Sequence, residues 1–495
     1  MNRTTRSLLT ASVLTVAAVA PGCAAEPSDG GVSPPVDPGG PTWLANVPAA
    51  AGEAIVGYAP GASDADRGRA RGRVGARAKK AVSGDVEVWT LPAGASVEGA
   101  ARSLAGDASV AYVEPNYVVH HQTLDAGYGQ LWGLHNTGQL IDNTTRPDLS
   151  ASGTADVDID APEAWGWIAS TPNGARAGAG DPVYVGVIDE GIDFDHPDLA
   201  GRVVNPGEVC GDGIDNDGNG FVDDCHGWDF FGDRADIYAG PGVNPDGSVV
   251  DAHGTHVGGT IAALGDNEIG VVGVARNVRL ISGKFLGPDG GYTSDAVAAV
   301  KYFTDLKVKR GVTRLAAVNN SWGGGAFSKA LYDAIAEAGQ AGILFVIAAG
   351  NDGRDNDKTA SYPCNYSKST RVQGRTLPGL TNILCVAAHD QKGAIASFSN
   401  WGATTVHVAA PGVNILSTTP ENTYAYYRGT SMAAPHVTGL AALLAAEGLG
   451  MAQVASRIRG TVVPNTGSSW NRKATVTKGR INAYRALANT AAVDP

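Results

Sequence analysis

What this chain lacks sets its first bounds. Basic residues are in deficit: 37 Lys and Arg face 49 Asp and Glu, for a net charge of −12. Residues 1–48 sum to about −1 and residues 49–121 to about zero, so nearly all of the acidity lies in the long remainder. Phosphate binding requires a basic face, so this balance argues against nucleic acid and anionic membrane surfaces as partners and leaves room for bound cations. Long apolar runs are missing as well: the extended run at residues 8–20 is too short to span a bilayer. Cysteine is scarce, with five among 495 residues. No internal repeat is visible.

What is present is enough for a sizeable core, since 43% of residues are hydrophobic. The length exceeds the usual single domain, so one large domain with smaller attachments is expected. Residues 1–25 read as an export signal: Arg3 and Arg6, the apolar run, then small residues around Cys23. Gly22-Cys23 resembles a bacterial lipoprotein cleavage site, in which Cys23 would be lipidated, although Ala20 and Pro21 stand where Leu and Ala or Ser are usual. Ordinary cleavage after Ala25 is the alternative and would release a soluble product, so the product is either secreted or held at the cell envelope by that lipid alone. Both routes remove Cys23 from thiol pairing and leave Cys210, Cys225, Cys364 and Cys385 in an oxidising compartment. Two disulfides are expected. Three connectivities are open, of which the local pairs Cys210 with Cys225 and Cys364 with Cys385 are preferred, each worth roughly 3 kcal/mol by loop closure. Buried free thiols are the competing reading.

Residues 26–48 are rich in Pro, Gly and Ser and read as a structureless tether. Residues 49–121 alternate strand, helix, strand, helix, strand, with the first helix expected from Arg67 to Lys80 over a basic run; that is a small α/β open sandwich. The run is read as a solvated helix face or a surface that meets the acidic domain rather than a nucleic-acid patch. Beyond Asp181, β-rich runs at 183–188, 278–286, 315–319, 343–348 and 383–388 alternate with Ala-rich helical runs at 253–264, 294–307, 328–338 and 431–446. Such alternation predicts a parallel sheet covered by helices, with ligands beyond the carboxyl ends of its strands.

Three motifs carry chemistry. Val187-Ile188-Asp189-Glu190-Gly191 ends an apolar strand on a carboxylate, His253-Gly254-Thr255-His256-Val257 opens a helix on a histidine, and Gly429-Thr430-Ser431-Met432-Ala433-Ala434-Pro435-His436 sets a serine at the start of another. Amide hydrolysis needs a serine whose proton a base removes and a carboxylate that orients the base, roles that Ser431, His253 and Asp189 suit. Pro435 is read as lying within the first helical turn. Asn351, in Ala348-Ala349-Gly350-Asn351, would donate its amide to the oxyanion beside the backbone N–H at the Ser431 helix start. Singly, each residue has a plain structural reading; jointly those readings are improbable. His256 invites a zinc reading with His253, but no His-Glu-x-x-His pattern or third ligand accompanies it, so it and His436 are taken as structural.

The order Asp, His, Ser with these motifs resembles the subtilase family of serine endopeptidases, and the resemblance covers roughly residues 50–487. It implies an α/β catalytic domain at 125–490, three-layered around a parallel sheet, preceded by an inhibitory pro-domain at 49–121. The tail of that pro-domain would lie in the substrate cleft, and a cut between about His120 and Tyr128 would free the mature enzyme. Trp132-Gly133-Leu134-His135-Asn136-Thr137-Gly138 looks like the family's first mature segment and Gly479-Arg480-Ile481-Asn482-Ala483-Tyr484 like its closing helix, with no further domain expected. By the same resemblance an extended peptide would add as a strand between Ser321-Trp322-Gly323 and Gly290-Gly291-Tyr292. Its side-chain pocket would be walled by Ser321 to Gly323 and by Ala348, Ala349, Gly350, Asn351 and Asp352. Polypeptides and its own pro-domain are the partners implied, for a monomer.

Asp212, Asp215, Asp217, Asn219, Asp223 and Asp224, spaced by glycines, approach Asp-x-Asp-x-Asn-Gly, a calcium-loop pattern. The candidate ligand set is Asp215, Asp217, Asn219, Phe221, Asp223 and Asp224. It departs from the helix-loop-helix version because His226 replaces Glu at the twelfth position and no apolar helices flank it. Asp198, in His196-Pro197-Asp198-Leu199, matches a second calcium ligand of the family, and structural Ca2+ is the cofactor expected.

Overall fold

The computed structural model describes residues 49–117, 125–170, 182–238, 240–244, 247–465, 467, 469–470 and 473–490. The export signal at 1–25, Cys23, the tether at 26–48 and much of the expected cut window lie outside them. The chain divides into two units, Met1–Val118 and Val119–Pro495.

In the first unit, β1 (Ala49–Tyr58), α1 (Asp64–Val74), β2 (Arg77–Ser83), β3 (Val86–Thr90), α2 (Val97–Leu104) and β4 (Val110–Tyr117) make an antiparallel sheet of order β2-β3-β1-β4. Alternate residues of β1, Ala54, Val56 and Tyr58, pack with Ala70 of α1 and with Ala100 and Leu104 of α2 around Trp89. The helix expected to run to Lys80 stops at Val74. Gly75 takes φ 67° there and its N–H closes on Arg71 and Gly72, a left-handed cap that ends the helix. The basic run therefore splits between α1 and the exposed edge strand β2, and a charge run carries no periodicity that would have revealed the break. Arg71 and Lys79 pair with Glu87 and Glu53.

The second unit is built from α3 (Ala161–Ser170), β5 (Val183–Asp189), β6 (Gly227–Asp229), α4 (Ala252–Ala262), β7 (Val278–Lys284), α5 (Thr293–Lys309), β8 (Leu315–Asn320), α6 (Lys329–Gln340), β9 (Leu344–Ala348), β10 (Ile383–His389), β11 (Val408–Pro411), β12 (Ile415–Thr419), β13 (Thr423–Tyr427), α7 (Thr430–Ala446), α8 (Met451–Gly460), β14 (Val463–Pro464), β15 (Gly479–Arg480) and α9 (Ala483–Ala488). Nine of these strands form one sheet of order β14-β15-β11-β10-β9-β8-β5-β7-β6, parallel except for β14. Both faces are buried, so central strands such as β9, Leu-Phe-Val-Ile-Ala, run apolar without alternation. Val183, Val185 and Val187 of β5 face a core with α4, α7 and α8, while Ile188 faces a second core with α5 and α6. Gly186 is required on β5, because a Cβ there would stand 2.8 Å from the Phe303 ring. The chain leaves β5 for β7 on one side and later returns to β8 on the other. Asp189 thus ends the strand at which the sheet's winding reverses, where doubly wound sheets open a crevice.

Candidate active site

Asp189 is fully buried at the end of β5, and its Oδ1 accepts from His253 Nδ1 at 2.7 Å and from Glu190 N at 2.8 Å. A carboxylate only accepts, so Nδ1 holds the proton and Nε2 is left as the basic atom. His253 is the second residue of α4. Asp251 precedes that helix at φ 57°, yet its carboxylate does not cap it: Lys284 Nζ takes it at 2.6 and 2.8 Å and Gly191 N at 2.9 Å. The His253 N–H donates instead to Glu190 Oε2 at 3.1 Å. Burial disfavours the charged imidazole, but the Asp189 charge and hydrogen bond, with the Glu190 charge, outweigh it and raise the His253 pKa to about 9. The side chain keeps 29% of its surface exposed, enough for a substrate to reach it.

Ser431 is the second residue of α7, and Pro435 lies in that helix's second turn rather than its first. A proline there has no N–H for the carbonyl four residues earlier, which is that of Ser431. Ser321 fills the gap: its Oγ donates to Ser431 O at 2.7 Å, while Ser431 Oγ donates to Ser321 O at 2.9 Å. The serine is pinned by two reciprocal bonds to the end of β8. No hydrogen bond joins Ser431 to His253 among the described residues.

Asn351 follows β9 through a turn that only glycine fits. Gly350 has φ 109°, and a Cβ on it would meet Asn400 Nδ2 at 2.4 Å. Thr430 holds the turn to α7. Its Oγ1 accepts from Gly350 N at 3.1 Å and donates to Asn351 Oδ1 at 3.0 Å, and its N–H donates to the same oxygen at 2.9 Å. With Oδ1 so fixed, the Asn351 amide nitrogen is the end left to point outward. His253, Asn351, Ser431 and Met432 line a cavity of about 360 Å³ together with Asn143, Arg146, Leu149, Asn414, Tyr426, Tyr427 and Arg428.

The segments expected to take a peptide strand sit at the same sheet edge. Ser321 is buried, Trp322 is half-buried against Phe285 with ring centroids 4.8 Å apart, and Gly323 is exposed. Gly290 and Gly291 are exposed in the turn after β7. Ala349 is buried, its carbonyl taken by Asn356 at 2.9 Å and Asn400 at 3.2 Å. Asp352 is exposed and ion-paired to Arg354. His256 is stacked on Tyr427, with its Nε2 at 2.9 Å from Ile415 O and 3.1 Å from Ala425 O. Burial pushes its pKa down to about 3 and that of His436 down to about 4.

In the acidic loop, Glu208, Asp215 and Asp217 bring carboxylate oxygens within 4.8 Å of one another. Glu208 Oε2 is buried without a hydrogen-bond partner, and burial raises the pKa of both Glu208 and Asp217. Asn219 donates to Asp217 and to Asp224, and the half-buried Phe221 side chain packs against Trp228, Phe230 and Tyr302. Asp223 and Asp224 point elsewhere: Asp223 accepts from the amides of Gly211, Asp212 and Gly213, and Asp224 from Tyr302, Asn205 and Asn219. Glu208 was missed because it precedes the spaced acids, across Cys210. Asp198 is buried and accepts from Asn267, Val271 and Tyr424. Asp125, also missed, holds the amides of Asp266 and Asn267 beside it, and burial raises its pKa. Both local disulfides are formed, Cys210–Cys225 and Cys364–Cys385.

A family model described as the subtilase family matches residues 180–480, more than half of the chain. The chain belongs to the subtilase family. A second model, the fervidolysin N-terminal prodomain, matches residues 44–116, so the subtilase region is preceded by a unit of pro-domain type. Thermitase of Thermoactinomyces vulgaris is 32% identical over 332 residues, 66% of this chain and 93% of that protein. A thermophilic serine proteinase of a Bacillus species is 35% identical over 304 residues, 61% of this chain; this chain spans 61% of that relative's length. Subtilisin DY of Bacillus licheniformis is 36% identical over 301 residues, 60% of this chain and 89% of that protein. Among solved structures, a protease from Pseudoalteromonas arctica matches with TM-score 0.53 and 25% identity, covering 74% of this chain and all but 1% of its own. The chain carries its functional candidates on an α/β fold.

Proposed function

We propose that this subtilase is an exported, calcium-stabilised serine endopeptidase that removes its own N-terminal unit, which inhibits it until then, and afterwards hydrolyses extended polypeptides. One observation carries the reading: His253, oriented by the buried Asp189 at 2.7 Å, opens onto the same cavity as Ser431 and Asn351. As the peptide carbonyl arrives, Ser431 Oγ swings from Ser321 O to His253 Nε2, which takes its proton as the C–O bond forms. The Asn351 amide and the N–H groups at the start of α7 meet the oxyanion. His253 then hands the proton to the leaving amine, and water repeats the sequence on the acyl-enzyme. The cavity edged by Arg146 and Arg428 would receive the leaving side. Glu208, Asp215 and Asp217 are the residues that would hold calcium, which supplies charge neutralisation for the loop; Asp125 and Asp198 would serve a second site. Lipid attachment through Cys23 would keep the product at the envelope.

The test compares intact masses of the exported protein and of Ser431→Ala, both produced with calcium. A shorter native form, with the mutant keeping its N-terminal unit, is the expected result. If both keep it and neither native nor mutant takes a serine-directed probe, the endopeptidase reading falls. That outcome would select the competing reading, a surface-anchored binding protein whose subtilase fold has lost activity. Cleavage of denatured casein separates a broad endopeptidase from a processor of one partner.

A further inference from the structure

We propose that Glu190 is a positioning residue for His253: it caps the helix that carries the imidazole, and its charge sets the pH at which His253 releases its proton. This rests on the endopeptidase reading above.

The argument starts from a helix whose own cap is committed elsewhere. The first N–H groups of α4 need acceptors, and Asp251, the residue placed to offer one, is bound to Lys284 and Gly191. Glu190 supplies the missing acceptor from the neighbouring strand end, at 3.1 Å from the His253 N–H. A carboxylate there also meets the positive end of the α4 dipole. Two consecutive residues thus grip His253, Asp189 by its ring and Glu190 by its backbone. The grip fixes where Nε2 points.

The second consequence is electrostatic. Charged and titratable groups around Glu190 come from each element near it: Asp189 beside it, His253 from α4 and Asp251 just before it, Lys284 behind Asp251 from β7, and the Tyr427 phenol from β13. His256 lies in the field of His253 and, like His436, is held neutral by burial. Burial, with the repulsion of Asp189, raises the Glu190 carboxyl to about 7 against the pull of His253. Glu190 and His253 therefore titrate as a coupled pair from neutral pH upward, and an ionised Glu190 favours the imidazolium.

Two variants of the full chain separate the cap from the charge. Glu190→Gln keeps an oxygen for the His253 N–H and removes the charge, whereas Glu190→Ala removes both. The readouts are the pH dependence of Ser431 labelling by a fluorophosphonate and the NMR titration of the His253 ring. In Glu190→Gln the acid limb of labelling and the NMR pKa should both fall, by about 0.5 pH unit or more. Glu190→Ala should show the same fall and a lower plateau. An unmoved His253 pKa in Glu190→Gln overturns the charge role, and an unchanged plateau in Glu190→Ala overturns the cap. If the native protein takes no label, the endopeptidase reading fails, while the NMR titration still decides whether Glu190 governs His253.

Discussion

Ser431 is held in place by what its own helix withholds. Pro435 leaves the Ser431 carbonyl open, and Ser321 answers both the carbonyl and the hydroxyl. Replacing Ser431 with alanine should abolish pro-domain removal and casein cleavage while thermal unfolding stays cooperative. Asn351→Leu keeps the size of the side chain and deletes the amide. It should lower kcat by about 100- to 1,000-fold, the magnitude known for the oxyanion amide of subtilisin, with KM little changed. The pH profile follows from His253, which must be neutral to act as base. Because Asp189 and Glu190 raise its pKa to about 9, kcat/KM should climb through neutral pH, reach half its limit near pH 9 and level only above it. In stability the same shift has the opposite consequence: the charged imidazole favours the fold below its unfolded pKa near 6.5, and that contribution disappears as pH rises through about 9. A profile that levels below pH 7 would contradict this assignment.

At the scale of elements, the coupling between α7 and the end of β8 can be isolated. Ser321→Ala in a Ser431→Ala background leaves a half-buried carbonyl unsatisfied and should cost about 1 kcal/mol. Pro435→Ala restores an N–H for that carbonyl, so Ser321→Ala in the Pro435→Ala background should cost much less. A denaturant double-mutant cycle measures the difference, and additive costs would refute it. The same scale explains what was legible in the chain. β5 and β9 are buried on both faces and read as apolar runs, and Asp189, His253, Ser431 and Asn351 each sit at an element end marked by its local motif. Less was visible where structure depends on distance. The hairpin β12–β13, which brings Tyr426 and Tyr427 to the site, has too few alternating positions to stand out. The Ser321 hydroxyl on Ser431 O, Glu190 on His253 N, and Asp125 beside Asp198 pair residues far apart in sequence, and no spacing rule reports them.

For the molecule as a whole, the acidic surplus concentrates in places where a divalent cation would relieve it. Calcium at 100 times its dissociation constant would add about 2.7 kcal/mol, so chelation should lower the melting temperature by roughly 5 °C. Asp217→Asn should blunt that response without touching the hydrolytic residues, and identical melting curves with and without chelator would remove calcium from the account. Removing the Cys210–Cys225 bridge, which closes the acidic loop, should cost about 3 kcal/mol by loop closure and weaken calcium protection as well. The sheet order has a consequence in time. Asp189 ends a strand laid down before any other of the large sheet, while Ser431 opens a helix that follows seven of its nine strands. A nascent chain therefore owns its carboxylate and its base long before its nucleophile. Hydrolytic power is among the last properties the molecule acquires, and no unfinished copy can turn on the machinery that is making it.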